Sequence, residues 1–365
     1  MAQIIIKNLR KDFGDFTAVQ SSSFTIEDGD FFMLLGPSGC GKTTTLRMIA
    51  GLELPTSGEI YIDGEDVSQK RASERDLAFV FQMYALYPHL NVRQNISYPL
   101  KSQGMHKTQI KAKVAEVARL LEIEDILNKS VSGLSGGDRQ RIALGRAIVR
   151  EPKAFMMDEP LGALDAEFRE HMAMELRALH ERMGATTVYV THDQLEAMQM
   201  GDKIVVMNHG SVEQFGVPQD IYDWPATIFV ADFIGSPSMN FLDIKKSVNT
   251  GDSTIVIGEQ IIKIPTLLQS CDDEIAFGVR PEHISFDENS HYRGDIIATE
   301  YLGTTQIVTL QTPNGTLKAR LPSSEPVSDG ENVGLAFNPK AITLFDKKSG
   351  TALISEGNKG VLGDG

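Results

Sequence analysis

The stretch GPSGCGKT (36–43) constrains the fold of this 365-residue chain more than any other feature. It fits the pattern G-x-x-x-x-G-K-[ST], follows the apolar run FFMLLG (31–36) and opens a helical pattern. In that context the loop amides wrap a phosphate, Lys42 reaches the β- and γ-phosphates, and the hydroxyl of Thr43 binds Mg²⁺. An ordinary glycine-rich turn is the alternative, but it requires neither the lysine nor the helix. The stretch therefore predicts a nucleotide site.

Short strands alternate with helical patterns through about residue 235. The continuous apolar runs of strand length are FFMLLG (31–36), LAFVFQ (77–82), AFMMDE (154–159) and TTVYVTH (186–192). Such runs are typical of parallel strands that are covered on both faces. The segment from about 88 to 150 has helical patterns and no clear strand. We therefore predict an α/β domain over residues 1–235 with a helical insertion at about 88–150.

Polar residues end these predicted strands. Asp158 is placed to hold the Mg²⁺ shell, and Glu159 to orient or deprotonate the attacking water. Gln82 and His192 end two other strands, although each, taken alone, is more often structural. Doubly wound sheets bind ligands at the carboxyl ends of their strands. We therefore expect Gly36, Gln82, Asp158 and His192 to converge on one nucleotide.

A second glycine-rich stretch, LSGGDRQR (134–141), lies directly before a helical pattern. Serine and glycine at a helix N-terminus provide a hydroxyl and amides for an anion. The stretch has no lysine, and a complete phosphate loop already lies upstream. It therefore resembles half of a phosphate site. Nearer the N-terminus, Phe13 could stack on a purine, with a core aromatic as the alternative.

Composition changes at FIGSPSMNF (233–241), which marks a linker. Short β runs follow it, and Asn314-Gly315 predicts a hairpin between two of them. We predict a small all-β, barrel-like domain over residues 236–346. The glycine-rich polar tail, 347–365, is predicted to be disordered.

The bulk composition excludes several classes of protein. Lys and Arg number 35 against 49 Asp and Glu, a net charge of −14, which argues against broad nucleic-acid binding but leaves a local basic patch possible. Two cysteines, Cys40 and Cys271, cannot form a disulfide framework. Neither a signal-peptide pattern nor an apolar run of about 20 residues is present. We expect a soluble, intracellular protein.

The order GPSGCGKT, Gln82, LSGGD, MMDEP, ALD and His192 closely resembles the ATP-binding subunits of ABC transporters, nearly end to end. FGVRPEHI (277–284) in the β-rich half resembles the regulatory domain of ATPases that drive maltose-type and glycerol-phosphate-type importers. The resemblance implies an α/β P-loop NTPase domain followed by an OB/TOBE-type regulatory domain. It also implies that ATP hydrolysis powers uptake of a carbohydrate or polyol-type solute.

The resemblance assigns ATP and Mg²⁺ ligands. Phe13 would stack on adenine, and the phosphate-binding residues would be Ser38, Gly39, Cys40, Gly41, Lys42, Thr43 and Thr44. The Mg²⁺ ligands would include Thr43, Gln82 and Asp158.

The resemblance also assigns catalytic residues. Glu159 would be the base, Gln82 would sense the γ-phosphate, and His192 would hold the γ-phosphate and water. Two domains of this family pack head to tail, so the half-site would cap the partner's nucleotide through Ser135, Gly136 and Gly137. Asp165 would couple the two sites. The chain departs from the family at Asp138, where glutamine is usual.

The implied partners are a second ATPase subunit, most simply an identical copy, two integral-membrane permease subunits and an extracytoplasmic solute-binding protein. No nucleic acid is implied. The chain would lie peripherally on the cytoplasmic face of the inner (plasma) membrane. Tyr84 and Tyr87 look exposed and would line a groove for a permease helix, with a core aromatic cluster as the alternative.

Two alternatives remain open for the function. One is the ATPase of an exporter, or of an importer for another solute such as a polyamine, ferric iron or a sulfate-like anion. The other is a non-transport ABC ATPase, although these usually carry a long coiled-coil insertion or two tandem ATPase domains, and the sequence shows neither.

Overall fold

The computed structural model of the chain describes residues 2–162 and 166–363. These residues form two compact units, divided between Pro218 and Gln219. The predicted boundary at 235/236 falls later, because two short helices before it belong to the second unit. Asp165 lies outside the described residues.

The strands of the first unit build two sheets. They are β1 (Ile4–Phe13), β2 (Phe16–Ile26), β3 (Phe31–Leu35), β4 (Ser57–Ile62), β5 (Glu65–Asp66), β6 (Leu77–Val80), β7 (Ala154–Asp158), β8 (Thr186–Thr191), β9 (Lys203–Asn208) and β10 (Ser211–Gly216). The larger sheet has the order β10-β9-β3-β8-β7-β6 and is parallel except for β10. The smaller sheet, β2-β1-β4-β5, is antiparallel. The predicted parallel layer is therefore confirmed.

The helices of the first unit are α1 (Lys42–Ile49), α2 (Val92–Ser102), α3 (Lys107–Leu120), α4 (Gly136–Ile148), α5 (Ala166–Met183) and α6 (Gln194–Met200). The segment from about 88 to 150 contains α2, α3 and α4 and no named strand, as expected for a helical insertion. Strands β3, β7 and β8 are buried at every residue. Burying one large apolar side chain contributes about 1.5–3 kcal/mol, so burial stabilises these strands. The polar residues of the site follow the ends of the strands.

The second unit is mainly antiparallel β structure. Its helices are α7 (Pro218–Asp223), α8 (Ile228–Phe233) and α9 (Lys359–Leu362), and its strands are β11 (Asn240–Ile244), β12 (Thr254–Ile257), β13 (Gln260–Lys263), β14 (Ile275–Val279), β15 (Ile284–Phe286), β16 (Arg293–Tyr301), β17 (Thr305–Thr312), β18 (Gly315–Pro322), β19 (Asn332–Phe337) and β20 (Ile342–Asp346). The sheets are β11-β14-β20, β12-β13 and β15-β19-β16-β17-β18. The hairpin predicted at Asn314-Gly315 joins β17 to β18.

The prediction of a disordered tail is wrong for residues 347–363. Leu353 is buried, and its N–H donates to the carbonyl of Leu344 at 2.7 Å. The side chain of Asn358 is also buried and donates to the carbonyl of Leu353 at 2.9 Å. The short apolar run Ala-Leu-Ile (352–354) supplies the contact that the overall glycine-rich composition obscured.

Candidate nucleotide site

The phosphate loop connects β3 to α1 through glycines in the left-handed backbone region. The φ angles are 157° at Gly36, 79° at Gly39 and 104° at Gly41. A Cβ on Gly36 would lie 2.2 Å from the carbonyl oxygen of Met207, and one on Gly41 would lie 2.5 Å from that of Ala18. Only glycine fits these two positions, because both the dihedral and the space exclude a side chain.

Lys42 lies at the centre of this loop. Its side chain is buried, and its Nζ donates to the carbonyl oxygens of Gly36 at 2.8 Å and Pro37 at 2.9 Å. No side chain caps the start of α1, so the amides of its first turn are available to an anion. Ser38 and Gly39 are exposed at the rim of the loop, and Thr44 is half-buried. Burial raises the pKa of the neighbouring Cys40 thiol, which keeps it protonated.

Thr43 and Asp158 form the second element of the site. The Thr43 hydroxyl donates to Oδ1 of Asp158 at 2.8 Å. Burial raises the pKa of Asp158, and this hydrogen bond opposes the shift. Hydroxyl and carboxylate oxygens suit Mg²⁺, which usually takes its other ligands from phosphates and water. Among the described residues no group of three or more His, Cys, Asp or Glu side chains could hold a metal ion.

Glu159 is the third element, and two side chains hold its carboxylate. Gln82 Nε2 donates to Oε2 at 3.2 Å, and His192 Nδ1 lies 3.3 Å from Oε1. The backbone of Glu159 has a φ of 44°, a strained value for a residue with a side chain. The residues that follow β6, β7 and β8 thus bring Gln82, Glu159 and His192 next to one another.

Phe13 lies at the turn between β1 and β2. Its ring is 47% exposed, and Nζ of Lys11 lies 4.8 Å from the ring centroid. An exposed aromatic face next to a cation suits stacking on a base. The core alternative for Phe13 does not fit this exposure.

The signature turn, Ser135 to Gly137, caps α4. The Ser135 hydroxyl is exposed and accepts a hydrogen bond from the N–H of Asp138 at 3.1 Å. Within the part of the chain that the structure describes, no hydrogen bond or ion pair joins this turn to the phosphate loop. Ser135 is exposed, whereas Gly136 is half-buried and Gly137 is buried.

Two hydrogen-bond networks, one centred on Arg146 and one on Glu196, were not predicted from the sequence. Arg146 on α4 donates to the carbonyl oxygens of Ala85 at 2.6 Å and Tyr84 at 2.9 Å, both residues with positive φ. It thereby holds the segment that follows Gln82. Tyr84 is 7% exposed, so the expectation of an exposed Tyr84 is wrong, while Tyr87 is half-buried.

The second network surrounds His192. The carboxylate of Glu196 is buried and accepts from the hydroxyls of Tyr189 at 3.0 Å and Thr191 at 2.7 Å. Burial raises the pKa of Glu196. Asp193 accepts from the N–H of residue 195 at 2.8 Å and so caps α6. The residues on both sides of His192 are thus fixed; an acid one helical turn after a strand-end histidine was the available signal.

A buried lysine in a strand–loop–helix turn, a threonine–aspartate pair and a glutamate at the ends of parallel strands define a P-loop nucleotide hydrolase. Family models agree: the ABC transporter model matches residues 19–162, the MalK OB fold domain 235–284 and the TOBE domain 277–345. The chain belongs to the ABC transporter ATP-binding subunits that carry this C-terminal domain, and it is an ATPase.

Curated relatives match this chain over nearly its whole length. The trehalose/maltose import ATP-binding protein MalK of Thermococcus litoralis is 45% identical, over 97% of this chain and all of its own. The trehalose import ATP-binding protein SugC of Mycobacterium tuberculosis is 42% identical over 97% of this chain and 98% of its own. The sn-glycerol-3-phosphate import ATP-binding protein UgpC of a Ruegeria species is 44% identical over 96% and 99%.

Solved structures of ATP-binding cassettes match about 60% of the chain. A dimeric, post-hydrolysis ATP-binding cassette bound to ADP and Pi is 33% identical, covers 59% of this chain and 98% of its own, and has a TM-score of 0.53. The cassette cbiO1 of Clostridium perfringens is 26% identical over 60% and 89%, with a TM-score of 0.56. Among the described residues no helix is long and apolar enough to span a bilayer.

Proposed function

We propose that the chain hydrolyses ATP with Mg²⁺ as one of two identical subunits, and so drives uptake of a carbohydrate or polyol-type solute through two separate permease subunits. The relatives named for trehalose, maltose and sn-glycerol-3-phosphate import support this solute class, because they match over nearly the whole chain. An extracytoplasmic solute-binding protein would deliver the solute, and no nucleic acid takes part. The chain would act at the cytoplasmic face of the inner (plasma) membrane.

The arrangement of the phosphate loop supports a role for each of its polar groups. The loop amides and Lys42 bind the phosphates, with Lys42 exchanging its two carbonyl contacts for phosphate oxygens. Thr43, Asp158 and Gln82 would hold Mg²⁺, which neutralises phosphate charge when bound. Phe13 stacks on adenine, while Asp165 couples the two sites.

The position of Glu159 carries the proposal for catalysis. Its carboxylate follows Asp158 and is oriented from two sides by Gln82 and His192. A carboxylate held in this way can accept a hydrogen bond from the attacking water and take its proton. His192 then steadies the γ-phosphate, and the signature turn of the partner subunit closes the site from the other side.

Permease docking is proposed at the exposed apolar side chains of Phe81 and Met83, which flank Gln82 in the sequence, and of Tyr98 on α2. These side chains are 39%, 82% and 44% exposed. Tyr98 packs against Tyr87 with 4.6 Å between ring centroids, and Arg146 lies 5.3 Å from the ring of Tyr87. Because the same arginine holds the backbone after Gln82, movement of these side chains would be transmitted to the nucleotide.

Substitution Glu159→Gln tests the catalytic assignment. It keeps size and hydrogen bonding but removes the base, so ATP hydrolysis should fall at least about 100-fold while ATP binding remains. Turnover is measured by phosphate release, and binding by a fluorescent ATP analogue. Glu124→Gln, at an exposed carboxylate of the same unit, is the matched control. Near-parental turnover of Glu159→Gln would show that another group is the base.

A further inference from the structure

A long segment of the helical insertion contains no acidic residue. Between Asp76 and Glu116 the sequence has no Asp or Glu, although the whole chain has 49 in 365 residues. The same segment contains one arginine and four lysines. In a chain with a net charge of −14, this segment therefore has the opposite sign.

Four of these cations surround one cavity. The cavity lies between α2 and α3, has a volume of about 500 Å³, and is lined by Arg93, Lys101, Lys107 and Lys111 but by no acid. The three lysines are exposed, and within the described ranges none of them has a carboxylate within ion-pair distance. By contrast Lys113, which does not line the cavity, pairs with Glu151 at 2.6 Å.

The start of α3 adds to this positive field. Lys107 is the first residue of α3, its N-cap His106 makes no side-chain cap, and the first turn has no acid. A cation at a helix N-terminus opposes the helix dipole, whereas an anion there is stabilised. The cavity thus combines three exposed lysines and the half-buried Arg93 with the positive end of a 14-residue helix.

We propose that this α2–α3 cavity binds the headgroups of anionic phospholipids. Docking of a protein partner normally requires exposed apolar anchors, and no residue that lines the cavity is an exposed large apolar side chain. Contact with an anionic lipid surface requires mainly clustered cations.

This inference deepens the proposed function, since it adds lipid to the permease as a membrane contact. The purified full chain is sedimented with vesicles of phosphatidylcholine alone, or of phosphatidylcholine with phosphatidylglycerol, at low salt. Binding should be at least tenfold tighter to the anionic vesicles and should weaken as salt is added. Equal binding to both vesicles overturns the proposal.

Charge-matched variants locate the site. The triple variant Lys101→Gln, Lys107→Gln, Lys111→Gln should lose at least tenfold in affinity for anionic vesicles. A control triple at exposed lysines of the second unit, Lys245→Gln, Lys246→Gln, Lys340→Gln, should stay within twofold. If the two triples weaken binding equally, net charge and not the cavity is responsible, and the proposal fails.

Two competition experiments distinguish a lipid ligand from free phosphate and from an acidic protein segment. Inorganic phosphate at matched ionic strength should not displace the chain from anionic vesicles; displacement would assign the cavity to free phosphate instead. A poly-glutamate peptide that binds the parent more tightly than the vesicles do would assign it to an acidic protein segment. ATP hydrolysis by the cavity triple in solution should remain within twofold of the parent, so failure of lipid binding is distinguishable from failure of the catalytic assignment.

Discussion

The phosphate loop and the signature turn are both rich in serine and glycine, yet their glycines serve different purposes. In the phosphate loop Gly36, Gly39 and Gly41 all have positive φ. In the signature turn Gly136 and Gly137 begin α4, and neither has a positive φ. Glycine is therefore required by the backbone in the first region. In the second it leaves the helix N-terminus bare for a ligand.

The two regions also differ in how complete they are. The phosphate loop has its own cation, Lys42, buried and hydrogen-bonded to the loop itself. The signature turn has an exposed hydroxyl at Ser135 and no cation. One region can bind phosphate unaided, whereas the other can only complete a site to which phosphate is brought. This difference supports the proposal that the signature turn acts in trans.

The largest expected effect on stability comes from placing a methyl group in the phosphate loop. In Gly41→Ala, a φ of 104° and a contact of 2.5 Å with the carbonyl of Ala18 force the loop to move. Strain of this kind costs roughly 1–3 kcal/mol, so both thermal stability and ATP affinity should fall, the latter at least about tenfold. Calorimetry and a fluorescent ATP analogue measure the two.

Gly136→Ala is the matched variant in the signature turn. Alanine fits a helical position, so stability should be unchanged or raised by up to about 1 kcal/mol, and ATP should still bind. Hydrolysis should fall, because the methyl group intrudes where the partner's phosphate docks. If Gly136→Ala unfolds the protein as readily as Gly41→Ala, the two glycine sets do not differ in the way described.

The next prediction tests the trans assignment directly. Cysteines at Ser38 and Ser135, in a chain with Cys40 and Cys271 replaced, should form a disulfide between subunits when ATP closes the dimer. Ser135→Arg should keep ATP binding and lose most hydrolysis, because a bulky cation blocks closure but leaves Lys42 intact. Electrophoresis of oxidised samples distinguishes crosslinked dimers from single chains. Crosslinks found only within one chain would contradict the assignment.

The parallel layer was predictable because each buried strand is a continuous apolar run, and the convergence of Gln82 and His192 followed from the strand ends. What the sequence missed depends on contacts between distant residues. Arg146 reaches carbonyl groups at residues 84 and 85, and no local pattern signals that. Tyr84 was expected to be exposed, yet it is buried, and its backbone has a φ of 58°. The role of Asp165 remains a proposal.

A smaller effect concerns the protonation of Asp158, which contacts Thr43 of the phosphate loop. Burial raises the pKa of Asp158. Between the ordinary and the raised pKa, the folded chain holds a proton that the unfolded chain has released, so stability falls as pH rises through this interval. Asp158→Asn removes the titration.

The Asp158→Asn variant should therefore be more stable than the parent, with a gap that is small near about pH 4 and wider near about pH 7, while hydrolysis is lost. Denaturant unfolding at the two pH values measures the gap. Asp125→Asn, at an exposed carboxylate of the same unit, is the control. A gap that narrows as pH rises would contradict the role of burial.

The smallest effect is expected at Asp138, where the signature turn departs from its family. The hydrogen bond to the Ser135 hydroxyl comes from the backbone N–H of Asp138, so Asp138→Gln leaves the cap intact. The acid lies in the first turn of α4, where a negative charge contributes about 0.3–1 kcal/mol through the helix dipole. Stability should fall by no more than that, and turnover should stay within a few-fold, because the serine hydroxyl and the glycine amides bind the phosphate. Turnover lowered as far as in Glu159→Gln would mean that the Asp138 carboxylate itself contacts the reacting groups, and the signature turn would then be more than a bare anion cap.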